Sequence, residues 1–252
     1  MFKKLCKKCG APIEGARNKQ VCEDCKYKKP HRPAREFKHQ IDLTSLQDRE
    51  FRSYLLGFLF TDGSVRLNPK GEVQQVGWYS SDKEIVQKIT DRLGYSRPLF
   101  VASTAGKGEW GNYVTGSYAR AISAYGLTES KENHTLQGLD VDLYPFLRGH
   151  LDGDGTIDLR ETSIGWVAST VTFLTRDRLG VDLKAALEKE GFPDVALYTR
   201  EPIPPRTKRI SSVMLGSTRA ETLLRRMYEN ATIYLDRKKA LWDRIKDTRK
   251  PK

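Results

Sequence analysis

An α+β architecture of two pseudo-symmetric αββαββα halves, preceded by a small N-terminal module, is predicted by three features of the sequence. The order helix, strand pair, helix, strand pair, helix is legible twice after the first forty residues. The helices that open the two halves end in similar nonapeptides, 55–63 and 147–155. All four cysteines and a dense run of basic residues are confined to the N-terminal stretch. Together they divide the chain into 1–40, 41–140 and 141–252, the last with a C-terminal helix.

The first half opens with a helix over 48–63, where Phe51, Tyr54, Leu55, Phe58 and Leu59 recur at helical spacing. Asp48 is its expected cap, and Gly63 suits its C-terminus. Residues 64–80 alternate, with Val65, Leu67 and Val73 on one face and Arg66, Asn68, Lys70, Glu72 and Gln74 on the other. Asn68-Pro69-Lys70-Gly71 supplies the turn between the two strands. A helix over 82–93 follows, striped by Ile85, Val86, Ile89 and Leu93. A strand pair through 98–116, broken at Gly106-Lys107-Gly108, and a helix over 117–126 complete the half. The second half repeats the order: helix 142–155, strands 156–174, helix 178–190, strands 195–215 and helix 217–229. A basic amphipathic helix closes the chain from Tyr234 onward.

Lys and Arg outnumber Asp and Glu by 44 to 32, for a net charge of +12. The first forty residues hold twelve basic against four acidic side chains. Such an excess suits a polyanionic partner, because neutralised phosphates release condensed counterions. The longest apolar run, Tyr54 to Phe60, falls far short of the roughly 20 residues of a membrane span. No apolar segment follows Met1-Phe2-Lys3-Lys4-Leu5, so a protein that is intracellular and not secreted is expected.

The cysteines are spaced Cys6-x2-Cys9-x12-Cys22-x2-Cys25. Two short-spaced pairs can each clamp one edge of a tetrahedral zinc ion, with Gly10 permitting a tight turn. A disulfide pair is disfavoured in a reducing compartment. A basic piece this short buries too little apolar area to fold unaided, so structural zinc is expected to supply its folding energy. His31 and His39 read as linker residues beside an already filled tetrahedron. The module is expected to grip DNA through phosphates.

The two nonapeptides are Leu55-Leu56-Gly57-Phe58-Leu59-Phe60-Thr61-Asp62-Gly63 and Leu147-Arg148-Gly149-His150-Leu151-Asp152-Gly153-Asp154-Gly155. They share first Leu, central Gly, final Asp and final Gly, and in this the chain resembles the LAGLIDADG endonuclease family over roughly residues 45–245. Gly57 with Thr61, and Gly149 with Gly153, are small residues four apart on one helical face, a spacing that lets two helices meet backbone to backbone. Helices so packed would bring Asp62 and Asp154 side by side, and adjacent carboxylates call for a cation. Magnesium (or manganese), hard and oxygen-preferring, suits both the carboxylates and phosphate oxygens.

What the resemblance implies is a single-chain, metal-dependent, sequence-specific homing endonuclease that hydrolyses double-stranded DNA. Asp62 and Asp154 would be the catalytic metal ligands, each half cutting one strand across the minor groove. The first motif departs from the family at its sixth position, where Phe60 replaces an acid that the second keeps as Asp152. Basic residues near the active sites map onto Lys131 and Lys238, expected to polarise a phosphate or orient water. Two curved sheets would form a saddle over the major groove, with Arg66, Asn68, Lys70, Gln74, Arg160, Thr162, Arg206 and Lys208 as contacts. A one-residue slip in strand parity reverses that set. Because the halves differ, a monomer on a long, weakly palindromic target is expected.

Asp152-Gly153-Asp154-Gly155-Thr156-Ile157-Asp158 superficially suggests an EF-hand, but Thr156, Ile157 and Ser163 stand where that loop needs an acid or amide, Gly and Glu. With Met1 at one end and Lys252 at the other, a free-standing protein is expected over an intein. The alternative function is a non-cleaving intron-RNA maturase or DNA-binding regulator on the same scaffold. One zinc per chain is expected in protein purified without chelator, and Cys6→Ser with Cys9→Ser removes it. Elemental analysis of the full chain decides, a zinc-free wild type counting against the tetrahedral site.

Overall fold

The computed structural model describes residues 4–5, 12–13, 40–104, 107–161, 167–202 and 208–248. Cys6, Cys9, Cys22, Cys25, Thr162 and Arg206 lie outside the described residues. Contacts divide the chain into two compact units, 1–39 and 40–252. In the first, strands β1 (Lys4–Leu5) and β2 (Pro12–Ile13) pair antiparallel, with Lys4 opposite Ile13.

The second unit contains both halves. Helix α1 (Arg49–Asp62) is capped by Asp48, whose carboxylate accepts from the Glu50 and Phe51 amides at 3.1 and 3.2 Å. Strands β3 (Gly63–Leu67) and β4 (Val73–Ser80) follow, joined by the expected turn, in which Gly71 adopts φ 79°. Helix α2 (Lys83–Arg92), strands β5 (Phe100–Thr104) and β6 (Lys107–Thr115) and helix α3 (Ser117–Ser123) complete the half. Helix α3 stops short of the expected 126 because the chain turns at Gly126, with φ 103°.

The second half runs α4 (Leu143–Asp154), β7 (Gly155–Glu161), β8 (Val167–Thr175), α5 (Asp177–Lys189), β9 (Ala196–Arg200), β10 (Ile210–Gly216) and α6 (Ser217–Tyr228), before α7 (Asp236–Thr248). The two sheets are antiparallel and share one topology, β3-β4-β6-β5 and β7-β8-β10-β9. Their registers also correspond, Gly63 facing Trp78 as Gly155 faces Phe173. In each sheet one face packs into the core, through Val76, Trp78 and Val114 in the first and Val171, Phe173 and Val213 in the second.

Helices α1 and α4 form the seam between the halves. A Cβ on Gly57 would collide with the Phe146 carbonyl, and one on Gly149 with the Tyr54 carbonyl. The contact is therefore reciprocal, each glycine lying against the backbone of the other helix. Gly153 likewise has no room for a side chain, with Thr61 pressed against it. Gly63 and Gly155 end the helices in extended conformation, φ −89° and −105°, so neither is there to supply a left-handed cap. A Cβ at either would instead run into the preceding helical turn, at Leu59 or Leu151.

Because backbone on both sides cannot give way, Gly57→Ala is expected to cost about 3 kcal/mol, the upper end for overpacking. Gly71→Asn, at an open turn position, serves as the comparison. Urea unfolding followed by circular dichroism checks this, and equal midpoints for the two variants would dismiss backbone contact at the seam.

Candidate active site at the paired helix ends

The close approach of α1 and α4 delivers their last residues, Asp62 and Asp154, to one cleft of about 770 Å³. The cleft is also lined by Arg66, Gln75, Tyr79, Glu109, Lys131 and Arg237. Asp62 is the more enclosed acid and Asp154 the exposed one. Burial, then the charge of Asp154, pushes the Asp62 carboxyl up to about 7, against the pull of Lys131 and Lys238. Both acids also stand at helix C-termini, where the backbone presents its negative pole.

Two lysines counter that pole. Lys131 donates to the Thr61 carbonyl at the end of α1. Lys238 is 2% exposed and donates to the Leu151 carbonyl, to Asp152 O at 3.1 Å and to Gly155 O at 2.9 Å, closing the end of α4. Burial lowers the Lys238 ammonium to about 8, although the charges of Asp152 and Asp62 support it. Lys131 lines the cleft; all three Lys238 donors are directed at backbone carbonyls.

The sixth motif position differs chemically between the halves, yet in each it holds the segment that carries the lysine. Phe60 stacks on His134, three residues past Lys131, with centroids 4.0 Å apart and planes at 19°. Asp152 accepts from the Leu235 amide, three residues before Lys238, and from the Tyr54 hydroxyl, both at 2.8 Å. Burial raises the Asp152 carboxyl to about 6 and keeps His134 neutral, near 4. Arg148, which the sequence gives no reason to bury, joins this network: it bonds to Ile233 O at 2.9 Å, to the Met227 carbonyl and to Glu50.

The lysine segments also cross between halves. Leu136 N and Gln137 Nε2 donate to Asp182 on α5 at 2.9 and 3.2 Å, and Arg176 pairs with Glu132 at 3.2 Å. In the mirror arrangement Arg237 grips Asp82 at 2.9 Å, and Lys88 reaches Asp236 at 2.6 Å and Tyr234 O at 3.0 Å.

Of the expected base-reading residues, Arg66 stands on the outward face and lines the cleft. A β-bulge between Arg66 and Leu67 sets Gln75, not Gln74, opposite Arg66, so the expected alternation slips by one residue there. The Asn68 side chain is engaged in its turn, accepting from Lys70 N at 2.9 Å and Glu72 N at 3.0 Å. Lys70, Arg160 and Lys208 are exposed, Lys208 within 3.7 Å of Glu132. Glu109, Asp82 and Arg237 were not singled out from sequence, and only the fold brings them into the cleft.

No protein-family model matches the chain, nor does any curated protein. Solved structures do. The LAGLIDADG meganuclease I-AabMI bound to uncleaved DNA aligns over 78% of this chain and 91% of that one, at 12% identity and TM-score 0.50. The meganuclease I-SmaMI bound to uncleaveable DNA aligns over 78% and 90%, at 12% identity and TM-score 0.51. The chain has the LAGLIDADG two-half fold. The homing endonuclease I-WcaI bound to its DNA recognition sequence shares that fold at 8% identity and TM-score 0.51, over 77% and 86%. Identities this low carry fold alone. What points to chemistry in this LAGLIDADG fold is therefore its own cleft, with two carboxylates whose charges oppose each other beside a lysine that lines it. That donor set fits a hard divalent cation, which keeps waters and completes its shell with phosphate oxygens. Among the described residues no cluster of three or more His, Cys, Asp or Glu forms a closed protein cage.

With its pKa raised, Asp62 keeps a proton in the folded chain that the unfolded chain releases near 3.8. Its contribution to stability therefore falls as pH rises from there through about 7. Asp62→Asn is expected to melt above wild type beyond pH 7 in cation-free buffer, with the gap closing as pH drops toward 4. A constant gap across that range would show that Asp62 titrates normally.

Proposed function

We propose that the chain is a sequence-specific, double-strand DNA endonuclease of the homing type, hydrolysing one phosphodiester on each strand with a divalent metal. The observation that carries this reading is the convergence of Asp62 and Asp154 in a single cleft, with Lys131 lining it. Duplex DNA lies across the two sheets, which act as a saddle, and this assignment agrees with the DNA-bound proteins that share the fold. The net charge of +12 favours that partner.

Asp62 and Asp154 hold magnesium or manganese, which when bound supplies Lewis-acid polarisation of phosphate and water. The remaining work belongs to the chain. Asp62, half-enclosed, gives up its proton to become a ligand, and Asp154 faces the substrate side of the same cleft. Lys131 offers its ammonium to a phosphate oxygen after leaving the Thr61 carbonyl. Lys238 acts through its charge, which helps to hold Asp62 ionised, rather than by touching substrate. The structural zinc module at 1–40 extends the grip through phosphates, and the chain works as a monomer on a long target of weak palindromic character.

The test is cleavage of supercoiled plasmid carrying the uninterrupted version of the encoding locus, with magnesium. Wild type is expected to linearise it, while Asp62→Asn and Asp154→Asn each nick or fail, with kcat down by a factor of about 100 or more. Tight binding by wild type without any cutting would replace this reading with the regulator or maturase one, and intron RNA would be the next ligand.

A further inference from the structure

The outward face of the first sheet carries an unusual surface for a duplex reader. Tyr79 on β4 faces Gly111 on β6, which in turn faces Phe100 on β5. Two pairs along, on the same face, Gly77 faces Tyr113. A Cβ on Gly77 would lie 2.6 Å from the Tyr79 hydroxyl oxygen, and one on Gly111 would lie 2.5 Å from Tyr79 Cδ1. The Tyr79 ring is therefore laid flat across two glycines, with its other face turned to the cleft it lines. Phe100 stands against it at 80°, with centroids 6.2 Å apart, and meets Tyr113 at 73° and 5.7 Å. The guanidinium of Arg97 lies 3.8 Å from the Tyr113 ring centre.

The second sheet serves as an internal comparison, because its register is the same. Leu174 stands where Tyr79 does, paired with Ser212 in place of Gly111. Thr172 and Met214 stand in place of Gly77 and Tyr113, and Tyr198 in place of Phe100. The two glycine seats and the flat ring thus occur together in the first half and are missing at the matching positions of the second.

A flat ring face complements another ring face, whereas the grooves of a duplex offer only base edges. Four-stranded sheets that bind unpaired nucleotides use this geometry, with aromatic rings on which successive bases stack. We propose that the first sheet is a base-stacking site for unpaired nucleotides, with Tyr79 as floor and Phe100 as wall. Phosphates then run on the Arg66 side of the cleft, away from Glu109. The site needs the cleft to admit nucleic acid, in common with the proposed function, but does not depend on cleavage.

The probe is a twelve-nucleotide oligothymidylate with one central 2-aminopurine, whose fluorescence is quenched by stacking. The same strand in a duplex is the control. Wild type is expected to quench the single strand on binding. Tyr79→Leu, which copies the second half, should abolish the quench and weaken single-strand binding roughly ten-fold, a larger loss than it causes in duplex affinity. Tyr79→Phe should keep the quench. If Tyr79→Leu does not fold, Phe100→Ala, which removes the wall and leaves the floor, is expected to reduce the quench. A quench that survives both changes, or single-strand and duplex affinities that fall together, overturns the proposal. Quenching without plasmid cleavage defeats the nuclease reading alone, and cleavage without quenching defeats this one alone.

Discussion

Everything about the cleft depends on two helices touching where side chains should be. Gly57 lies on the carbonyl of Phe146 and Gly149 on the carbonyl of Tyr54, so α1 and α4 approach as closely as backbone permits. That contact places two carboxylates at one point, and burial with mutual repulsion then raises Asp62. Two lysines placed at the helix ends are the electrostatic answer, offsetting both the acids and the negative poles of the helices.

The cleft is further framed by straps that leave one half and fasten on the other. The segment after Lys131 is held by Asp182, and the segment before Lys238 is held by Asp82 and Lys88. Each strap is also pinned from inside by the sixth motif position, by ring stacking in one half and by a buried carboxylate in the other. The loss of the acid at Phe60 is thus a change in the means of attachment and leaves the attachment itself in place.

Much of this was legible in the sequence. Phe51, Tyr54, Leu55, Phe58 and Leu59 sit at helical spacing because one stripe must be buried, and all of them are. Asp48, the Asn68–Gly71 turn and the doubled order of elements are likewise local signals, read without knowledge of the fold. The pairing of Gln75 with Arg66 was not, because a bulge adds one residue to a strand with no mark in composition. The straps were hidden as well, since a contact such as Lys88 with Asp236 joins residues that nothing in their neighbourhoods connects. Gly77 and Gly111 carry no sequence signal of their own, and only the fold lays the Tyr79 ring across them. The four cysteines, expected from their spacing to hold zinc, lie outside the described residues.

The reciprocal seam has a consequence for anyone who treats the halves as interchangeable parts. A chimera that borrows one half from another protein inherits a helix face shaped for a different partner, and a strap with no matching anchor. The smallest unit that can be exchanged is then not a half but a set of complementary surfaces, Gly57 with Phe146, Gly149 with Tyr54, and each strap with its anchor on the far side. Recombination at the linker near residue 140 cuts an exposed stretch of chain, yet the seam and both straps join the two halves across it.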